Sequence, residues 1–120
     1  MVQLSIGLTQ RAEFHSETAK RLTPLRDKGI LVIGSGNLVH NLYAYAWGPS
    51  TGGAVRLGGA LLKNERGTNA RRDHETLIAC EKLGIDAILS VPTPDHYLPL
   101  LYVIAQMRAA EPVSFPVGRM

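Results

Sequence analysis

The chain has 120 residues, a mass of 13.0 kDa, 45% hydrophobic residues and a formal net charge of +3, a size that suits one small domain. Its basic residues are scattered or paired with acids, which excludes the basic stripe of a nucleic-acid-binding protein, and its single cysteine, Cys80, excludes an internal disulfide and a cysteine-based zinc site. Neither a signal-peptide pattern nor an apolar run of roughly 18 to 20 residues is present, so the sequence predicts a cytoplasmic protein without membrane contact.

The first third of the chain has the pattern of a strand, a helix and a second strand. Residues 2–6 alternate between apolar and polar, which predicts a half-buried strand. Residues 11–27 place apolar side chains three or four apart, which predicts a helix that stops at Gly29. The apolar run "ILVIGS", residues 30–35, is typical of a strand that is covered on both faces in a parallel sheet. Such units place ligands at the carboxyl ends of their strands.

The middle of the chain is harder to interpret. Asn37 is a good N-cap for a short helix over "LVHNLYAYAW", which would end near Gly48. Residues 49–72 are rich in glycine, which weakens any helix, so we expect a mobile connection with helical tendency. The stretch "DHETLIACEKLG" predicts a helix with Asp73 as its N-cap and Gly84 as its terminator.

The last third predicts one more strand and one more helix. "AILSV" reads as a third central strand, and "PTPDHYLPLLYVIAQMRAA" as a helix capped by Thr93, begun by Pro94 and slightly bent at Pro99. The expected fold class is therefore α/β, a three-layer open sheet with helices on both faces. Both chain ends are strand-like, which indicates a fragment of a larger single-domain fold, although an independent domain can also begin on a strand.

Two histidines occupy corresponding positions in this scheme. His40 and His96 each follow a predicted central strand at the start of a predicted helix, so both are expected at one edge of the sheet. The positive end of a helix dipole favours the neutral imidazole, the form that binds a metal or accepts a proton. The alternative is that both are ordinary polar residues that satisfy backbone groups of loops.

The remaining candidates give weaker signals. His15 and His74 fit exposed or partly exposed helix positions without a chemical role. The glycines of "GSGNLV" suggest a phosphate cradle, but the third glycine of the dinucleotide fingerprint and the Lys-Ser/Thr of a P-loop are missing. Tyr97 is expected to pack in the core or to border a pocket for a planar ligand.

Several stretches resemble one enzyme family. "VQLSI", "GILVIGSGNLVHNL", "AYAWG", "EKLG" and above all "VPTPDHYLPLLYV" resemble, in this order, the class III extradiol ring-cleavage dioxygenases of the LigB-like superfamily, nearest to the DOPA 4,5-dioxygenase type. The resemblance implies an α/β oxidoreductase that opens the ring of a catechol with O2 at a non-haem metal, Fe(II) in catalysis and often Zn(II) in purified protein.

The resemblance also implies roles for particular residues. His96 matches a metal-ligand position, and His40 matches the active-site histidine that acts as acid and base close to the metal, where it is also a candidate ligand. We expect Tyr97, Asn37 and His15 to contact the substrate. The expected partners are a catechol-type small molecule and O2, with neither nucleic acid nor membrane.

The chain departs from this family in four respects. The family is roughly twice as long, its two other histidine ligands lie in the part that would precede Val2, and it continues beyond Met120. Residues 49–72 are glycine-rich where the family has an amphipathic helix. The expectation is therefore that residues 1–120 are the C-terminal part of a dioxygenase domain that forms homo-oligomers or associates with a missing N-terminal half.

Two alternatives stay open at the level of the sequence. One is a non-catalytic remnant of the fold that serves as an oligomeric or binding module, with its uncovered apolar surface buried against another copy. The other is a small nucleotide- or anion-binding α/β domain that uses the backbone between Gly34 and Asn37. An enzyme of this family should retain a metal, whereas the non-catalytic remnant should not. Only the nucleotide- or anion-binding domain should be protected by added nucleotides.

Overall fold

A computed structural model describes residues 1–37, 40–41, 70–108 and 111 of the chain. These residues form short helices connected by turns and irregular segments. In chain order the α-helices are α1 (Ala12–Leu22), α2 (Pro24–Asp27), α3 (Ala70–Ile78), α4 (Ile85–Ser90) and α5 (Leu98–Ile104), and a 3₁₀ turn spans Cys80–Leu83 between α3 and α4.

The predicted helix over residues 11–27 is present but is divided at Thr23. Pro24 has no N–H to donate to the preceding turn, so the hydrogen-bond ladder of α1 stops there and α2 starts afresh. The stop at Gly29 is as predicted. Gly29 has a φ of 74°, and the N–H groups of Gly29 and Ile30 donate to the carbonyls of Arg26 and Leu25, the Schellman pattern that satisfies the last helical carbonyls.

The core lies where α5 packs against α1 and α3. Leu77, Tyr97, Leu98 and Leu101 form one buried cluster, and Leu101 is completely inaccessible to solvent. The phenol of Tyr97 donates a 2.8 Å hydrogen bond to the carbonyl of Leu77, which satisfies its polar end inside the cluster. Ala19 is the fully buried apolar residue of α1, and its small side chain suits a close helix approach.

A charged pair ties α2 to the chain beyond α5. The Arg26 guanidinium donates two hydrogen bonds, of 2.6 and 2.9 Å, to the two carboxylate oxygens of Glu111. This bidentate pairing, together with the Arg108 backbone N–H, lowers the pKa of Glu111 from 4.5 to about 2. The pair joins Glu111 to α2.

The expected three-layer α/β sheet is wrong for the described residues, which are helical and contain no strand. Residues 1–7 and 30–37 are irregular. Leu31 and Ile33, predicted to be covered on both faces, are 81% and 78% exposed. An apolar run favours a strand only if another strand pairs with its backbone, and none of the described residues provides one.

The predicted third strand "AILSV" lies instead largely in α4. Backbone N–H groups of Ala87 and Ile88 donate to the carbonyl of Gly84, and that of Val91 donates to Ala87. Ala87 and Ser90, three residues apart, are buried, which is the periodicity of a helix face. A short apolar run has no period that distinguishes a strand from a helix, so the sequence pattern was ambiguous at this point.

The predicted last helix begins later than expected, at Leu98, with Tyr97 and not Thr93 at the N-cap. Pro99 therefore falls in the first turn, where its missing N–H has no helical partner to lose and no bend follows.

The helix predicted to begin at Asp73 starts earlier. Its first residue is Ala70, so Asp73 lies inside α3 and is not its N-cap. Gly84, with a φ of 106°, ends the 3₁₀ turn.

Some predicted elements lie outside the described residues. These are most of the helix after Asn37, all but the end of the glycine-rich connection over residues 49–72, and the strand-like C-terminus. Among the described helices, none has the length and apolar character that crossing a membrane requires.

Candidate functional site

The glycine segment lies directly on the residues that lead into α5. A Cβ atom built on Gly34 would lie 2.6 Å from the carbonyl oxygen of Pro99, and one on Gly36 would lie closer still to the carbonyl oxygen of His96. The backbone N–H of Asn37 donates a 3.0 Å hydrogen bond to that same His96 carbonyl. Glycine is required at Gly36 because the two backbones touch there.

The next residues attach to the end of α4. The backbone N–H of His40 donates to the carbonyl of Ser90 at 3.1 Å, and the side-chain amide of Asn41 donates to the carbonyl of Leu89 at 2.7 Å. Both carbonyls belong to the last turn of α4 and lack helical partners there, so the two bonds satisfy orphan groups. His40 is thereby held between the end of α4 and the start of α5.

These contacts bring His40 and His96 together. Their ring centroids are 4.9 Å apart and the ring planes are tilted by 54°. The sequence predicts that the two histidines share one edge of a sheet, and the proximity is present without a sheet among the described residues. The end of α4 and the turn before α5 take the place of the predicted strand ends.

Both ring nitrogens of His40 have a polar neighbour. Nδ1 lies 3.2 Å from the backbone carbonyl oxygen of Asn37, and Nε2 lies 3.1 Å from the hydroxyl oxygen of Thr93. A carbonyl oxygen only accepts, so the hydrogen bond at Nδ1 requires the proton on that nitrogen. The neutral ring then presents Nε2 as a bare acceptor, the form needed to take up a proton.

Thr93 and Asp95 belong to this site, although the sequence pattern indicates other roles for them, at the start of a helix. The Thr93 hydroxyl is the main cause that lowers the pKa of the Asp95 carboxyl, and the nearby His96 and His40 lower it further. The Asp95 carboxylate lies 3.6 Å from Nε2 of His96. Their positions within three residues of His96 in "PTPDH" were the signal that could have identified them.

His15 is elsewhere, in the core. It is completely buried in α1, and its Nδ1 lies 3.1 Å from the hydroxyl of Tyr102 on α5. Its Nε2 is buried without a hydrogen-bond partner in the described part of the molecule. The expectation of a partly exposed histidine is therefore wrong, and in the described part of the molecule its ring neighbours are Phe14 and Tyr102.

The neighbouring pair of Ser16 and His74 connects α1 to α3. The Ser16 hydroxyl and His74 Nε2 are 2.8 Å apart, and Ser16 is completely buried. Burial lowers the pKa of His74, and the positive charge of Lys20 lowers it further. Although a serine beside a neutral histidine resembles a nucleophile with its base, no solvent or substrate reaches this serine.

The other two residues expected at the substrate differ in exposure. Tyr97 is 2% exposed and its phenol is bound to the Leu77 carbonyl, so its side chain faces the core. Asn37 is exposed, and its backbone adjoins His96.

The single cysteine lies outside this site. Cys80 is a half-buried free thiol whose pKa is raised, first by burial and then by the negative charge of Glu81.

The residues present do not complete a metal centre. Imidazole and carboxylate are the ligand types of non-haem iron and of zinc, and His40, His96 and Asp95 supply both types. Within residues 1–37, 40–41, 70–108 and 111, however, no three such groups are placed to hold one ion. A three-ligand site would need at least one further group from another part of this chain or from another chain.

Comparisons with known proteins agree with the resemblance in the sequence. No protein-family model matches the chain. It is 37% identical to 4,5-DOPA dioxygenase extradiol of Escherichia coli strain K12, over 98% of this chain and 44% of that protein. It is also similar to the crystal structure of the uncharacterized protein JW3007 from Escherichia coli K12, with a TM-score of 0.77 and 35% identity over 94% of this chain and 47% of that one.

These similarities support an extradiol-dioxygenase-like family for the chain and leave the specific type open. The chain spans less than half the length of the relatives it matches.

Proposed function

We propose that this chain supplies one part of an extradiol-dioxygenase-like active centre, which opens the ring of a catechol-type substrate with O2. The observation that carries the proposal is the pairing of His40 and His96, two histidines from distant parts of the sequence with ring centroids 4.9 Å apart. The similarity to a protein named as an extradiol dioxygenase gives that pair a chemical context.

The two histidines have different roles in this proposal. His40 is the acid and base, since its Nδ1 faces a carbonyl and its Nε2 is left unprotonated, able to accept a phenolic proton once the Thr93 hydroxyl moves away. His96 is a metal ligand, because its exposed ring has no backbone partner among the described residues and lies beside the carboxylate of Asp95. Ligation by His40 as well would require Nε2 to leave the Thr93 hydroxyl.

The metal is Fe(II) or Zn(II) in this proposal, and the missing ligand comes from outside the described residues. The second contributor is either another copy of the chain or a chain that corresponds to the rest of the longer relatives. Three further residues are expected from the sequence to contact the substrate. In this proposal the exposed Asn37 contacts the substrate. The side chains of Tyr97 and His15 are buried, so they affect the site only through packing.

The alternative is a non-catalytic module that binds another chain. Its support is the apolar surface of the irregular segments, where Val2 is 96% exposed and Leu31 is 81% exposed. Apolar side chains exposed to this degree are typical of contact surfaces. The two proposals differ in one respect that can be measured, the binding of a metal by the histidine pair.

The test is metal content, measured by plasma mass spectrometry on the purified chain before and after anaerobic loading with Fe(II) or Zn(II). The proposal expects about one metal per chain or per dimer, lost in His96→Ala. His74→Gln is the matched control, because it removes a histidine outside the pair, and it should retain the metal. Metal-loaded protein should then consume O2 in the presence of a simple catechol.

Two results would contradict the proposal. If no metal is retained under any condition, the histidine pair is not a metal site in this chain and the module is the better description. If metal is retained but His96→Ala binds it as well as the original chain does, the metal is held elsewhere and His96 has no ligand role.

A further inference from the structure

The Thr93 hydroxyl lies between two acceptors. Its oxygen is 3.1 Å from Nε2 of His40, and the neighbouring Asp95 carboxylate, whose pKa Thr93 lowers, competes for the same proton. A hydroxyl has one proton to donate, so it can satisfy only one of these acceptors at a time. The side chain therefore has two hydrogen-bonded states that differ by rotation of the O–H bond alone.

The tautomer of the neutral His40 ring decides which state is occupied. Since the Asn37 carbonyl holds the proton on Nδ1, Nε2 has a free lone pair directed at Thr93. The Thr93 proton then points to Nε2, and the ring is held at both nitrogens. Without that hydroxyl, only the 3.2 Å contact at Nδ1 would select the tautomer and the ring orientation.

We propose that Thr93 is a positioning residue for His40: its hydroxyl donates to Nε2 and thereby fixes the Nδ1–H tautomer and the orientation of the ring. The catalytic meaning of this arrangement rests on the proposed function, whereas the tautomer is a property of the free chain. The two can therefore fail separately.

The experiment is ¹⁵N NMR of the histidine rings in the metal-free full-length chain, at about pH 8, where an ordinary imidazole is mostly neutral. The chain has four histidines, so single His→Gln variants assign every ring. Bare and protonated ring nitrogens have well separated shifts. The proposal expects His40 to show a protonated Nδ1 and a bare Nε2.

Four variants isolate the hydroxyl. Thr93→Val keeps the shape and removes the donor, so the His40 nitrogens should move toward the averaged shifts of two exchanging tautomers. Thr93→Ser restores the hydroxyl and should restore the original shifts. Asp95→Ala removes the second acceptor and should leave the Nδ1–H tautomer in place. Thr18→Val, whose hydroxyl bonds Phe14 in α1, is the matched control and should change nothing at His40.

Three results would overturn the proposal. One is a bare Nδ1 in the original chain, a test that needs no variant to fold. Another is an unchanged His40 spectrum in Thr93→Val. The third is equal disturbance in Thr93→Val and Asp95→Ala, which would assign the effect to the loop conformation. None of these results depends on metal binding, so each is distinguishable from failure of the proposed function.

Discussion

His15 and the pair of His40 and His96 show how differently one residue type is used in two regions of the molecule. His15 lies between α1 and α5, has no exposed surface and shares a hydrogen bond with another buried side chain. His40 lies in an irregular segment and His96 in the turn before α5, and His96 keeps 57% of its side chain exposed. Burial makes the first a packing element, whereas at least partial exposure and mutual proximity suit the other two for chemistry.

The first region therefore holds the fold together, and the second depends on it. The turn that carries His96 leads directly into α5, whose Leu98 and Leu101 belong to the core. His40 is attached to that turn and to α4 mainly by backbone hydrogen bonds. Changes in the core should reduce stability, and changes at the pair should alter binding with little effect on stability.

The largest expected effect is that of Leu101→Ala in the core. Leu101 is completely buried, and loss of a buried leucine side chain leaves a cavity that costs about 2–5 kcal/mol. Leu89→Ala is the matched control, since Leu89 is 44% exposed on α4, and it should cost less than about 1 kcal/mol. Urea unfolding followed by circular dichroism measures both. Equal losses would mean that the cluster around α5 is not the core.

The second prediction compares the histidines directly. His15→Ala should lower the free energy of unfolding by about 2–3 kcal/mol, because it opens a cavity and leaves the Tyr102 hydroxyl unpaired. His96→Ala should change it by less than about 1 kcal/mol, because the side chain is exposed. The same unfolding measurement applies. A larger loss for His96→Ala would remove the distinction between the two regions.

The third prediction concerns the contact that joins the glycine segment to α5. Gly36→Ala places a methyl group against the His96 carbonyl, so the backbones must separate, at a cost of about 1–3 kcal/mol. Gly7→Ala is the control, because its new methyl group would meet an ordinary contact of 3.6 Å with Gln10. The His40 and His96 ring signals in NMR should shift in the first variant alone. Unchanged rings in Gly36→Ala would mean that this contact does not position the pair.

The smallest expected effect is a pH dependence within the core region. The pKa of His74 is lowered from 6.5 in the folded chain, so below pH 6.5 the unfolded chain binds more protons. Stability should therefore rise with pH through the window between the lowered pKa and 6.5. His74→Gln lacks the titrating ring and should have a flatter profile over that window in urea unfolding. An identical profile would show that His74 titrates equally in both states.

Part of the site was predictable from the sequence. Local backbone chemistry predicted that the first helical segment ends at Gly29, and the structure confirms this end. The glycine break before His40 and the "PTPDH" segment before α5 marked the residues that meet, and the two histidines do lie side by side. The roles of Thr93 and Asp95 were missed, because a threonine and an acid near a proline are equally typical of a helix start.

What the sequence by itself determined is therefore local: helix signals, the helix stop at Gly29 and the candidate residues of the pair. The tertiary structure decided what depends on distant partners. "ILVIGS" and "AILSV" have the same apolar character. The first is irregular and largely exposed, whereas the second is mostly helical. A strand requires a partner strand and a helix does not, so the sequence pattern alone did not distinguish the two outcomes. Likewise, only packing distinguishes buried His15 from exposed His96, since burial is a property of the neighbours and not of the residue.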